Sequence, residues 1–243
     1  MKQVDVFRFG AALLVTSFIG CSVDTPSLEE SAAESTSPPM LDATPNTTGD
    51  PEAIRPFEIK VPDAVLDDLR NRLAATRLPD QIPGTAWDYG TNREYLSELL
   101  DYWQHDFDWR AQEQMLNAFD QFKTTIDGLD VHFIHQRSPH EEALPLVITH
   151  GWPGSFMEFH KIIGPLTNPT AYGGDASDAF HVVAPSIPGY GFSDKPTEPG
   201  YNPERMADII GKLMDRLGYE RYGTQGGDWG SIISRWQASL RPD

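Results

Sequence analysis

The segment Gly223-Thr-Gln-Gly226-Gly-Asp228-Trp-Gly230-Ser231 constrains this chain more than any other. It joins an extended run to an apolar run that begins at Ile232, and it sets one glycine two residues before Asp228 and another two residues after it. A sharp strand-to-helix turn brings its own backbone too close for side chains on its flanks. It also forces its central residue into a strained conformation with the side chain exposed. Gly226 and Gly230 meet the first demand, so the pattern predicts a single carboxylate, Asp228, presented at the end of a strand. The plainer reading makes Asp228 and Trp229 a helix N-cap and a core residue, but capping alone asks for no glycine on either side.

The rest of the C-terminal half supplies a frame for such a turn. Thr124 to His135 reads as two extended runs about Asp127-Gly128, a hairpin with Val131 and Phe133 on one face and His132 and Ile134 on the other. Leu144 to Thr149 and Phe180 to Ala184 are short apolar runs of the buried-strand type. A helix is predicted from Pro203, capped by Asn202, with Met206, Ile209, Ile210, Leu213 and Leu217 on one side and Gly218 as its stop. Strands alternating with helices indicate an α/β chain with a parallel sheet and crossover connections.

Before residue 123 the periodicity is helical. Val65, Leu66, Leu69 and Leu73 predict a helix over Asp63–Arg77. Thr91 and Glu94 stand as a capping box before a helix expected to bury Tyr95, Leu96, Leu99, Leu100 and Trp103. Asp108 is placed to cap a third helix carrying Trp109, Leu116 and Phe119. Residues 54–122 therefore read as a mainly helical region whose aromatic stripes are core, followed by an α/β region over 123–243.

The N-terminus has a different character. Lys2 and Arg8 precede an apolar stretch from Phe9 to Gly20, the layout of an export signal and too short to span a bilayer as a helix. Phe18-Ile19-Gly20-Cys21 resembles the bacterial lipoprotein cleavage box, which would make Cys21 the lipid-bearing residue; the alternative is a plain signal peptide over residues 1–20 with an incidental cysteine. Residues 21–53 are rich in Ser, Thr, Pro and acids and poor in large apolar side chains, so they are expected to form a disordered tether. Together these features predict an exported protein, periplasmic or anchored to a membrane through Cys21.

Composition closes off other classes. With 19 basic and 36 acidic residues the net charge is −17, which repels phosphate backbones and argues against nucleic-acid binding. Cys21 is the one cysteine, so neither an intrachain disulfide nor a multi-cysteine metal site can form. Asp175 and Asp178 lack the glutamate and spacing of a calcium loop and read as a solvated turn, so no metal is expected.

The chemistry of the turn follows from its carboxylate. A serine in that position attacks a carbonyl, whereas an aspartate attacks an sp³ carbon and forms an alkyl ester, as with epoxides or alkyl halides. His150-Gly151-Trp152-Pro153, just after an earlier strand, supplies a loop able to contribute one backbone N–H. The residue after the nucleophile supplies another, so the amides of Trp152 and Trp229 are the expected oxyanion donors. His150, Gly151 and Pro153 are expected to shape that loop.

From about Ile54 onward the chain resembles the microsomal-type epoxide hydrolases of the α/β-hydrolase family, including their helical N-terminal region. The resemblance rests on Pro56-Phe-Glu-Ile-Lys-Val-Pro-Asp63, Trp109-Arg-Ala-Gln-Glu113, Phe133-Ile-His135, His150-Gly-Trp-Pro-Gly-Ser155, Pro185-Ser-Ile-Pro-Gly-Tyr-Gly-Phe-Ser193 and Gly226-Gly-Asp-Trp-Gly230. It implies Asp228 as nucleophile, a small-molecule epoxide as substrate, hydrolysis to a vicinal diol through an aspartyl ester, and no cofactor.

The resemblance also implies residues that this sequence does not offer. In that family a cap with two epoxide-polarising tyrosines, an acid and a water-activating histidine follow the nucleophile. Here fifteen residues follow Asp228, and all seven histidines precede it. The expectation is an incomplete α/β-hydrolase sheet, inactive by itself, ending on a buried-type strand with an unpaired edge that would make the chain marginally stable. Two other readings stay open at this point. One is a haloalkane dehalogenase, with the Trp229 indole donating to a leaving halide, and the other is a non-catalytic exported fragment.

Overall fold

Asp127 and Gly128 both take positive φ, 51° and 81°, and turn strand β2 (Gln121–Ile126) back on β3 (Leu129–Gln136). Two consecutive left-handed residues match the right-handed twist of the paired strands, which is why Asp-Gly suits this position. In this computed structural model, which describes residue 50 and residues 52–242, the hairpin continues on one side to a two-residue strand β1 (Arg55–Pro56). On the other side it meets β5 (Phe180–Pro185), which pairs with β4 (Leu144–Thr149) and through it with β6 (Gly223–Gly226). The order is β1-β2-β3-β5-β4-β6, antiparallel up to the β3–β5 pairing and parallel from β5 to β6. The leader, Cys21 and all of the tether except residues 50, 52 and 53 lie outside the described residues.

Both faces of the sheet are covered, so both sides of β3 are buried rather than one. Val131 and Phe133, with Val147 and Val183, face α5 (Pro203–Arg216) and α6 (Trp229–Leu240), where Ile209, Ile210, Leu213 and Ile233 are fully buried. Ile134, Ile148, Val182 and Ala184 face the other layer. That layer consists of Ile59 and Val61, Leu66 of α1 (Asp63–Ala74), Leu116 of α3 (Trp109–Leu116), Phe156 and Phe159, and Ile163 of α4 (Ile163–Thr167). Each large apolar side chain buried in this way contributes about 1.5–3 kcal/mol.

The helix starts and stops follow local chemistry. Asn202 accepts the Arg205 N–H, and Gly218 at φ 82° ends α5, with Tyr219 N–H returning to the Met214 carbonyl. Asp108 accepts the Ala111 N–H at the start of α3, but Phe119 lies beyond that helix. Helix α1 stops at Ala74, three residues short of the Arg77 expected from periodicity. Helix α6 starts at Trp229 instead of Ile232, directly after Asp228.

The helix α2 (Arg93–His105) departs furthest from expectation. Its cap is Asn92, whose side chain accepts the Tyr95 N–H, and not Thr91. Leu96 and Leu100 are half-buried, while Tyr95, Leu99 and Trp103 are about half exposed. The helix packs against α1 along a narrow strip. Periodicity identifies an apolar arc but not how much of that arc has a partner.

Buried polar groups tie the N-terminal segment to α3 and its C-terminal end. Glu113 accepts hydrogen bonds from Val61 N–H, the Trp109 indole and Arg110, and Arg110 also reaches Asp63 and the Val61 carbonyl. Asn117 bonds both the N–H and the carbonyl of Ile59. His132, fully buried, lies between Ser186 Oγ at 2.9 Å and Gln121 Oε1 at 3.0 Å. Gln121 gives its NH₂ to the Leu116 carbonyl, so Oε1 faces His132 and the ring is the neutral Nε2–H tautomer.

Burial holds the His132 ring down to about pH 3, with Lys123 adding repulsion, and His135 is lowered to about 4 by burial first and Arg137 second. The unfolded imidazoles take up protons near pH 6.5, so between that value and the lowered ones the unfolded chain binds more protons than the folded chain. Stability is therefore expected to fall as pH is lowered from about 6.5 towards 4, by up to about 1.4 kcal/mol per pH unit for each histidine. Denaturant unfolding across that range should show the pH slope reduced by about one proton in His132→Gln.

Candidate active site

Strands β4 and β6 run parallel and adjacent, with Thr149 opposite Gly226 at their C-terminal ends. The loop after β4 and the turn after β6 consequently leave the sheet side by side. The turn is strained as its sequence predicts: Asp228 sits at φ 51°, ψ −122°, a conformation that costs a non-glycine residue about 1–3 kcal/mol.

Glycine is required where the two segments touch. A Cβ on Gly230 would lie 2.0 Å from the Thr149 carbonyl oxygen. A Cβ on Gly151 would lie 2.5 Å from the Cβ of Asp228 and 2.8 Å from its Oδ1. At Gly230 the obstruction is backbone and at Gly151 it is the Asp228 side chain, so neither can carry a side chain while the two segments remain together.

This contact delivers the loop amide to the carboxylate. Trp152 N–H donates to Asp228 Oδ1 at 2.8 Å. The hydrogen bond from Trp152 N–H, and after it the influence of the neighbouring Trp229 N–H, holds the Asp228 carboxyl below the usual carboxylate range, so it is ionised at neutral pH. The side chain makes no capping bond to α6, and the Asp228 carbonyl instead accepts from Ser231 N–H and Ser231 Oγ. The carboxylate thus faces the neighbouring loop at an exposed position, and Trp152 and Trp229 are exposed as well.

Of the residues singled out in the sequence, Asp228, Gly151, Trp152 and Trp229 come together here. Pro153 follows a cis peptide bond from Trp152 and is exposed. His150 is fully buried behind the loop, with Nε2 accepting from Ile187 N–H at 3.2 Å and Nδ1 3.1 Å from the Gly151 carbonyl oxygen. Ile187, in the loop after β5, escaped the sequence reading because it acts through its backbone. The run Pro185-Ser-Ile-Pro-Gly was the available signal. Among the described residues no three His, Cys, Asp or Glu side chains are grouped to hold a metal.

Known proteins resemble this chain over most of its described residues. Residues 54–159 match the model described as "Epoxide hydrolase N terminus" and residues 145–243 match that of the "alpha/beta hydrolase fold". Epoxide hydrolase 1 of Oryctolagus cuniculus is 44% identical over 195 residues, which cover 79% of this chain and 43% of that protein. The chain belongs to the epoxide hydrolase family. Among solved structures, the juvenile hormone epoxide hydrolase of Bombyx mori aligns with TM-score 0.70 at 35% identity, covering 79% of this chain and 50% of that one. The epoxide hydrolase of Aspergillus niger aligns with TM-score 0.67 at 35% identity, covering 75% and 48%. The chain therefore spans about half the length of the epoxide hydrolases it matches, or somewhat less.

Gly230→Ala is expected to cost about 2–3 kcal/mol, the upper range for overpacking, and to lower Tm by about 5–10 °C. Gly227 has open space around its Cβ position, so Gly227→Ala should leave Tm within about 2 °C. Thermal unfolding of the two variants side by side checks the close approach.

Proposed function

We propose that this epoxide hydrolase family chain opens epoxides by attack from Asp228, through an aspartyl ester on the path to a vicinal diol. The observation that carries the reading is the hydrogen bond from Trp152 N–H to Oδ1. It fixes one carboxylate oxygen and leaves Oδ2 as the attacking atom. As the bond from Oδ2 to the epoxide carbon forms, the carbon–oxygen bond of the ring breaks, and its electron pair passes to the epoxide oxygen, which takes a proton from solvent water to become a hydroxyl. Water attack on the ester carbonyl then places charge on Oδ1, beside amides typically worth about 3 kcal/mol each. Neither step calls for a metal or organic cofactor.

The ester-forming step is the part these residues support most directly. All seven histidines lie among the described residues, and none hydrogen-bonds Asp228; the best-held of them bond Ser186 and Gln121, Tyr219, and Ile187. On this reading the chain alone accumulates ester instead of turning over. Incubation with an aryl epoxide such as styrene oxide, followed by acid quench and peptide mapping, should show one epoxide mass added at Asp228 and none in Asp228→Asn. Modification elsewhere only, or none, would overturn the proposal. Bromide release from a bromoalkane without epoxide labelling would favour the dehalogenase reading.

The leader sequence supports a second proposal: the chain is exported and anchored through lipid on Cys21. Labelled palmitate is expected in the wild-type chain expressed in a bacterium and absent from Cys21→Ser. Its absence from both would return the leader to a plain signal peptide.

A further inference from the structure

The Gly151 carbonyl and the Trp152 N–H belong to one peptide unit, and in a trans peptide they point in opposite directions. One side of that unit faces Asp228, where Trp152 N–H meets Oδ1 at 2.8 Å. The other side faces His150, whose Nδ1 lies 3.1 Å from the Gly151 oxygen. Rotation of the unit about its neighbours would break both contacts at once, so whatever holds the carbonyl also aims the amide.

The ring that holds it is itself held. Nε2 of His150 accepts from Ile187 N–H, which leaves the proton on Nδ1 and makes Nδ1 the donor to the Gly151 carbonyl. The imidazole is fully buried and lies edge-on to Tyr190, with ring centroids 5.4 Å apart. We infer that His150 is a positioning residue: as the neutral Nδ1–H tautomer it links the loop after β5 to the Gly151–Trp152 peptide and thereby aims the Trp152 amide at Asp228. The geometry stands apart from the catalytic reading, and only its consequence for ester formation rests on Asp228 being the nucleophile.

Protonation would undo this link. A second proton on Nε2 would face the Ile187 N–H, donor against donor, and the ring would lose its fixed orientation. Burial opposes that proton and lowers the affinity of the ring for it, while the Gly151 carbonyl and the Glu158 carboxylate favour it. Tyr190 is the other titratable group packed on the ring.

The test uses the protein in solution with ¹⁵N and ¹³C labels. In the wild type the His150 imidazole nitrogens should show the Nδ1–H tautomer at neutral pH, and the Trp152 amide resonance should move with the titration of His150. In His150→Phe, which keeps the volume without the donor or acceptor, the Asp228 carboxyl should titrate higher by about half a pH unit or more, having lost an amide partner. His150→Gln, with an oxygen able to accept from Ile187, should restore most of that shift and remove the His150 step from the titration of the Trp152 amide, leaving the Asp228 step. The inference is overturned if the wild type shows the Nε2–H tautomer, or if the Trp152 amide and the Asp228 midpoint are unchanged in His150→Phe. Should His150→Phe fail to fold, the wild-type tautomer and the His150→Gln amide titration still decide. Failure of styrene oxide to label Asp228 would sink the catalytic reading while leaving these spectroscopic results standing.

Discussion

The arrangement depends on one close approach, where the end of β4 and the start of α6 pass each other with no side chain between them. Gly230 lies against the Thr149 carbonyl and Gly151 against Asp228. Parallel pairing of β4 with β6 sets the two segments side by side, and the absence of Cβ atoms lets them touch. The strain at Asp228 is offset by that packing together with the amide bonds to its carboxylate. Any change that separates the segments removes the amide from the carboxylate and lets the turn relax.

Much of this could be read from the residues. Gly226 and Gly230 placed the bend, Asp127-Gly128 placed the hairpin, and Asn202 and Gly218 bounded α5, because each reports a backbone requirement that a side chain answers locally. What escaped depended on distant partners. The half-exposed state of Tyr95, Leu99 and Trp103 depends on how broad a surface α1 offers, which no spacing within 93–105 encodes. The burial of both faces of β3 depends on α5 on one side and the Phe156 region on the other. His132 read as one residue of an alternating strand, and its partners Gln121 and Ser186 are 11 and 54 positions away.

Within the N-terminal region, and from it to β2, polar bonds are set inside the apolar layer that packs on the sheet. Glu113, Asn117 and Gln121 each satisfy backbone atoms of a passing segment: Val61, Ile59 and Leu116 respectively. Such bonds are directional, so they fix register where apolar contacts alone would allow sliding. Removing one partner strands the other without water, a cost of about 1–3 kcal/mol. The mainly helical segment is thereby held in a defined position over the sheet face that carries Ile134 and Val182.

The aromatic band on α2 has a colloidal consequence. Trp87 packs on Tyr95, and Tyr102 on Phe107, leaving an apolar surface open to solvent on a molecule whose net charge is −17. Mutual repulsion at long range is what keeps two such bands apart, and its reach shrinks from about 30 Å at 0.01 M salt to about 8 Å at physiological ionic strength. Dilute buffer and concentrated brine are therefore different solvents for this molecule: the first disperses it, and the second removes the barrier to clustering through its aromatic side.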